Sequence, residues 1–294
     1  MKKTLIFLVA IVAIVAIVLL AMPKERNKYE SVNKDIITVS IQPLKYLAER
    51  IVGDDFSIQV IVPSGASPET YELTPNQLID VDKSKLVATT GLIDFETELT
   101  ERILTAKTSM VANLSNGIKL IEGSCGHHHH EGHVHSVDPH IWTSPLQLHV
   151  MSFNLFNAIA LLYPDSVRYK DNYQLLVDDI EELDRVVRQR IEESELKYFF
   201  IYHPALTYFA RDYNVEQIAL EHDGKEPSAE RLSSLIKLAR EQEIEKVLYQ
   251  REFSQATVET VAKDIGATPV QIDPLAENVL DNILNITNII TETK

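Results

Sequence analysis

Short apolar runs with the composition of buried strands alternate with helical segments along most of the chain, in two separate series. This alternation is typical of parallel sheets flanked by helices, because parallel strands need a long crossover between them. The first series predicts strands at Ile36–Ile41, Ser57–Val62, Lys85–Thr89 and Met110–Leu114, and the second at Tyr198–Tyr202, Val215–Leu220, Lys246–Tyr249 and Pro269–Ile272. The sequence therefore predicts an α/β protein with two lobes.

A charged helical stretch separates the two series, and we place it at 164–195. A helix of about thirty residues is about 45 Å long, which is more than one small lobe requires. We therefore predict a helix that links an N-terminal lobe of residues 30–163 to a C-terminal lobe of residues 196–294. Residues 1–29 form a separate segment.

The composition limits the possible functions. The 294 residues carry a net charge of −15, and the part beyond residue 29 has 23 bases against 42 acids, a net −19. Nucleic-acid partners call for clustered Lys and Arg, so we expect none, whereas an acidic surface suits a protein that handles cations. The single cysteine, Cys125, excludes internal disulfides and cysteine-rich zinc modules.

Residues 1–29 have the pattern of an export segment. Lys2 and Lys3 precede an unbroken apolar run of eighteen residues, Leu5–Met22. Such a helix is about 27 Å long, close to the thickness of a bilayer core. The run is either a cleaved signal peptide or a retained membrane anchor, and the poor cleavage site at its end favours the anchor. We expect the rest of the chain to work in the periplasm or at the cell surface.

A histidine-rich segment interrupts the pattern between residues 121 and 137, which predicts an exposed loop. Imidazole binds Zn²⁺, Cu²⁺ and Ni²⁺, and such a run offers several weak, interchangeable sites. We interpret it as an auxiliary loop that collects or senses metal. Its histidines are His127, His128, His129, His130, His133 and His135.

The principal site should use ligands on more rigid elements. Four segments that follow predicted strands or flank the loop carry acids or histidines beside proline, which restricts the backbone. Ligands of open parallel sheets bind beyond the carboxyl ends of the strands, where most of these segments lie. The segments are Pro63–Pro75, Asp138–Pro145, His203–Pro204 and Asp273–Pro274.

Five short motifs lie in order along residues 36–294: Pro68–Pro75, Asp138–Trp142, Tyr202–Pro204, Glu226–Ser228 and Asp273–Leu275. They resemble those of the metal-binding proteins of zinc and manganese ABC importers, the ZnuA/TroA-like cluster. The histidine-rich loop directly precedes the second motif, as in the zinc members. This resemblance implies two α/β lobes joined by a long rigid helix, with one metal ion in the cleft between them.

The resemblance also implies a set of metal ligands: Glu69, His140, His203 and Asp273. Glu69 departs from the family, which has histidine at this position. A carboxylate still binds Zn²⁺ through oxygen, but two nitrogens and two carboxylates are also suited to Mn²⁺. The loop and His203 favour zinc, with manganese or iron as the alternative. If Glu69 is not a ligand, either Glu72 or a loop histidine takes its place or the site binds metal weakly.

The function implied is high-affinity capture of a divalent metal outside the cytoplasm and delivery to an ABC permease in the inner membrane. We expect a monomer and no catalysis. The competing hypothesis is an exported zinc hydrolase, in which Glu69 would be the base over a three-ligand zinc. The sequence has no His-Glu-x-x-His motif. A cell-adhesion protein is a third class, for which the sequence has no binding motif of its own.

Overall fold

A computed structural model describes residues 34–122, 137–221 and 227–292 of the chain. The chain divides into a unit of residues 1–34 and a compact unit of residues 35–294. Every element named below belongs to the second unit. The apolar run Leu5–Met22 and the histidine-rich segment 123–136 lie outside the described residues.

The first series forms a parallel four-stranded sheet in the order β2-β1-β3-β4. Helices connect the strands, and Pro43 in the first turn of α1 explains why β1 ends at Val39 although the apolar run continues to Ile41. The elements are β1 (Ile36–Val39), α1 (Gln42–Val52), β2 (Ser57–Val60), α2 (Pro75–Val81), β3 (Leu86–Thr89), α3 (Asp94–Ala106), β4 (Met110–Asn113) and α4 (Pro145–Leu162).

The second series repeats this topology, with a parallel four-stranded sheet in the order β6-β5-β7-β8. In each sheet the first and third strands are neighbours, so the chain leaves them in opposite directions and a crevice opens at their carboxyl ends. The elements are β5 (Tyr198–Ile201), α6 (Thr207–Asp212), β6 (Glu216–Ala219), α7 (Ala229–Glu241), β7 (Lys246–Gln250), α8 (Gln255–Ile265), β8 (Thr268–Ile272) and α9 (Val279–Thr291).

Helix α5 (Val167–Ser194, 28 residues) joins the two series. Ser166 caps it by accepting a hydrogen bond from the backbone N–H of Tyr169. Its buried positions, such as Leu176, Ile180 and Val187, recur at helical spacing and pack against α1 and α4 on the first sheet and α9 on the second. The long helix and the two parallel α/β sheets confirm the predicted fold class. The exact lobe boundaries remain a proposal.

Buried side chains form two clusters. The larger one runs from the first sheet across α5 to one face of the second sheet, where it includes Phe199 and Ile201. The smaller one covers the other face and includes Phe200 and Tyr202. The alternation of these four residues follows the two-residue period of a strand. One core thus holds both sheets on α5, and the second sheet is buried on both faces.

Helix α4 is long and apolar enough to cross a membrane by length and composition, and it is the one such helix in the described part of the chain. It packs against α5, β3 and β4. Its buried face, which includes Leu148, Met151 and Leu155, is therefore part of the protein core.

A buried carboxylate fixes the turn between β3 and α3. Glu96 is fully buried and accepts hydrogen bonds from the backbone N–H groups of Thr90, Leu92 and Ile93 and from the Thr90 hydroxyl. The turn also needs Gly91, which has φ +73° and no room for a Cβ beside Asn113.

We expect Glu96→Ala to lower the free energy of unfolding by about 2–4 kcal/mol, because the backbone N–H groups and the hydroxyl that donate to Glu96 would lose their acceptor in the core. Urea denaturation followed by circular dichroism measures the change. The exposed Glu98 on the same helix is the matched control, and Glu98→Ala should change stability by less than about 0.5 kcal/mol. Equal losses in the two variants would contradict a role for the buried carboxylate.

Candidate metal centre

Glu69 lies in the segment that follows β2, on a one-turn 3₁₀ helix at Pro68–Thr70. The segment ends in a capping box, in which Thr74 and Gln77 satisfy each other's backbone N–H groups at the start of α2. The amide of Gln77 also donates to the carbonyl of Ile61 and to the hydroxyl of Tyr71. These bonds tie both ends of the segment together and hold Glu69 beyond the edge of the first sheet.

His140 precedes a second one-turn 3₁₀ helix, Ile141–Thr143, at the start of α4. Asp138 accepts hydrogen bonds from the backbone N–H and from Nδ1 of His140, both at 2.9 Å. Trp142 is fully buried, and its Nε1–H donates to the carbonyl of Pro274 at 3.0 Å. The indole therefore ties the His140 segment to the segment that follows β8.

His203 follows β5 at its carboxyl end. Its Nδ1 lies 2.5 Å from Oε1 of Glu221, the residue after β6. The side-chain amide of Gln250, at the end of β7, donates to the carbonyl of His203. The ring of Phe253 stacks on the imidazole, with the ring centroids 5.4 Å apart. Contacts from two neighbouring strands thus fix both the backbone and the ring of His203.

These three side chains converge. Oε1 of Glu69 lies 3.6 Å from Nε2 of His140 and 3.4 Å from Nε2 of His203, and one ligand atom from each residue lies within 4.8 Å of the others. Both imidazoles are almost completely buried, and the Glu69 side chain is 14% exposed. Because Asp138 and Glu221 accept at Nδ1, both rings direct Nε2 to the same point, and a neutral ring offers its Nε2 lone pair there. This is the geometry of a divalent metal site.

Negative charge surrounds this point. Burial alone would lower the pKa of His203, but its hydrogen bonds to Glu221 and Glu69 outweigh burial and raise that pKa to about 10. Burial raises the pKa of Asp138, yet the charge and hydrogen bonds of His140 lower it overall. The same potential that holds a proton on His203 attracts a metal cation, which must displace that proton to bind.

The cavity bounded by these residues has a volume of about 40 Å³. Its wall includes Trp142, Phe253 and Leu275 beside the polar groups. Binding sites for organic ligands have volumes of about 300–1,000 Å³, so the cavity matches an ion much better than an organic substrate.

Asp273, the fourth predicted ligand, is not in this group of three. Its Oδ2 accepts a hydrogen bond from Nη1 of Arg251 at 3.1 Å, and its Oδ1 accepts one from the backbone N–H of Leu275. Its role as a ligand stays a prediction. Glu72, named as a possible substitute for Glu69, is exposed and lines a different groove of the first lobe with Leu73 and Arg102.

Sequence reasoning missed three acidic residues at the centre. Asp138 lies within the Asp138–Trp142 motif, and an acid two residues before a candidate ligand is a signal that points to it. Glu221 and Glu252 lie 18 and 49 positions beyond His203 in sequence. The carboxyl ends of β6 and β7 bring them close to it. Only the strand order of the second sheet, in which β6 and β7 flank β5, shows that Glu221 and Glu252 lie beside His203.

The sequence profile of a family described as "ZnuA: Zinc-uptake complex component A periplasmic" matches residues 37–290. The chain belongs to this family. The match spans most of the chain and confirms the resemblance seen in the motifs. A crystal structure of ZnuA superposes with a TM-score of 0.80 at 32% identity, over 88% of this chain and 98% of that one.

Two curated relatives have names that describe zinc proteins. The high-affinity zinc uptake system protein ZnuA of Bacillus subtilis is 27% identical over 79% of this chain and 75% of its own length. The zinc-binding protein AdcA of Streptococcus pyogenes serotype M3 is 23% identical over 94% of this chain. The chain spans 56% of the length of AdcA, about half of that protein.

We expect Glu221→Gln to weaken zinc binding about 10- to 100-fold, because the neutral amide no longer makes the His203 imidazole more basic. Competition with a chromophoric chelator measures the affinity. Glu216 on β6 is exposed and provides the control, so Glu216→Gln should bind zinc like the wild type. Unchanged affinity in Glu221→Gln would show that the Glu221 carboxylate does not tune this ligand.

Proposed function

We propose that this protein captures a divalent transition-metal ion outside the cytoplasm, zinc in preference to others, and delivers it to an ABC permease in the inner membrane. The observation that carries the proposal is the convergence of Glu69, His140 and His203 in a buried cavity of ionic size. Membership of the zinc-uptake family supports the transport role. The names of the zinc-uptake relatives support the choice of metal.

Two imidazoles and carboxylate oxygen suit zinc, and the histidines supply most of the preference for it over harder ions. Glu69 in place of a histidine adds an anionic oxygen, which makes manganese a better competitor than it would be at a nitrogen-rich site. A carboxylate also offsets the charge of the ion, which lowers the cost of burying it.

Binding and release, without a reaction, agree better with this cavity than hydrolysis does. A catalytic zinc needs an open position and room for substrate, whereas about 40 Å³ is too little for a peptide or ester. Because α5 and both sheets share one core, we expect the two lobes to move only modestly when the metal is delivered.

The segments outside the described residues have supporting roles in this proposal. Residues 5–22 tether the protein to the cytoplasmic membrane, where the permease lies. The protein acts as a monomer. Histidines 127–135 collect metal as an auxiliary to the buried site.

We expect His140→Ala and His203→Ala each to lower zinc affinity at least about 100-fold, since each removes a nitrogen ligand that a carboxylate already orients. Competitive titration of the metal-stripped protein with Zn²⁺ and Mn²⁺ measures this. Glu69→His should increase the preference for zinc, and deletion of 127–135 should lower only the binding of metal beyond one equivalent. The control is His149→Ala, because His149 lies on α4 outside the cavity wall.

Wild-type zinc affinity in both His140→Ala and His203→Ala would contradict the proposed site. An unchanged affinity in Glu69→Ala would remove Glu69 from the ligand set. Hydrolysis of esters or peptides by the zinc form would contradict the binding-only function.

A further inference from the structure

Glu252 lies in the wall of the metal cavity, and nothing in the sequence motifs points to it. The wall includes Glu252 together with Glu69, His140 and His203, whereas Asp273 is not among the described residues that form it. The Oε2 atom of Glu252 is buried and has no hydrogen-bond partner within the described structure. A buried carboxylate oxygen without a donor is costly unless a cation or a water molecule satisfies it.

The strand order places Glu252 nearer to His203 along the sheet than Asp273. His203 follows β5 and Glu252 follows β7, and these strands are paired neighbours. Asp273 follows β8, on the far side of β7. Adjacent strands are about 4.8 Å apart, so Asp273 starts about two strand spacings from His203 and Glu252 only one.

A tight turn fixes Glu252 beside His203. The backbone N–H of Phe253 donates to the carbonyl of Gln250 at 3.1 Å and closes the turn. Gln250 donates to the carbonyl of His203, and Phe253 stacks on its imidazole. Both ends of the turn are therefore attached to His203, and Glu252 lies between them.

Asp273 has another partner in Arg251, the residue before Glu252. Nη1 of Arg251 donates to Oδ2 of Asp273 at 3.1 Å, and the backbone N–H of Leu275 donates to Oδ1. The same Nη1 lies 3.5 Å from the hydroxyl of Ser64, in the segment that follows β2. Both oxygens of Asp273 are engaged, and its charge is balanced by the guanidinium.

We propose that Glu252, and not Asp273, supplies the fourth side-chain ligand of the metal, while Arg251 holds Asp273 aside as a positioning residue. This inference rests on the proposed function. The Glu252 carboxylate is not in the group whose ligand atoms lie within 4.8 Å of one another. Coordination therefore requires a rotation of its side chain, which breaks no hydrogen bond at Oε2. The resulting ligands are two imidazole nitrogens and oxygens from Glu69 and Glu252.

The test compares three substitutions of similar size in the full chain, purified in detergent and stripped of metal. Glu252→Gln and Asp273→Asn each remove one negative charge near the cavity. Glu259→Gln, at an exposed position of α8, is the matched control. Zinc affinity is measured by competition with a chelator, and the visible spectrum of Co²⁺, added at half an equivalent, reports changes in coordination. Circular dichroism and thermal unfolding show that each variant is folded.

We expect Glu252→Gln to lower zinc affinity at least about 10-fold and to change the Co²⁺ spectrum, since a ligand is lost. Asp273→Asn and Glu259→Gln should stay within about threefold of the wild type and keep its spectrum. A folded Glu252→Gln with wild-type affinity and spectrum would overturn the proposal, as would a larger loss in Asp273→Asn. If His140→Ala is also silent, the proposed function itself fails.

Discussion

Both sheets pack on one continuous helix, and the metal centre depends on that constraint. The buried stripe of α5 contacts α1 and α4 on the first sheet and α9 on the second, within a single core. Because one unbroken helix of 28 residues packs on both sheets, it limits how far the two crevices can move apart. Glu69 and His140 from one lobe can then meet His203 from the other with Nε2–oxygen distances of 3.4 and 3.6 Å.

Within this frame, carboxylates set the chemistry of the site. Asp138 and Glu221 each accept from Nδ1 of one imidazole, so both rings present Nε2 to the cavity. Glu69 places an anionic oxygen between them. Glu252 lies in the cavity wall, and its buried Oε2 atom has no hydrogen-bond partner among the described residues. Four carboxylates of this acidic chain, those of Glu69, Asp138, Glu221 and Glu252, thus lie in or beside the candidate metal cavity.

The fold was predictable because parallel α/β lobes depend on local patterns. Apolar strand runs and the length of α5 are visible in the sequence, and the structure and the family match confirm both. Glu69, His140 and His203 were predictable because prolines and family motifs flank them. Glu221 and Glu252 were not, because their place beside His203 depends on which strands are neighbours. The partner of Asp273, Arg251, depends on the same register between β7 and β8.

A crystal structure of the zinc-loaded protein, with anomalous diffraction measured at the zinc edge, tests the central claim most directly. We expect one strong peak in the cavity, about 2.0–2.1 Å from Nε2 of His140 and of His203 and about 2.0–2.2 Å from an oxygen of Glu69. A peak bound through Nδ1, or a principal site made by other residues, would contradict the site described above.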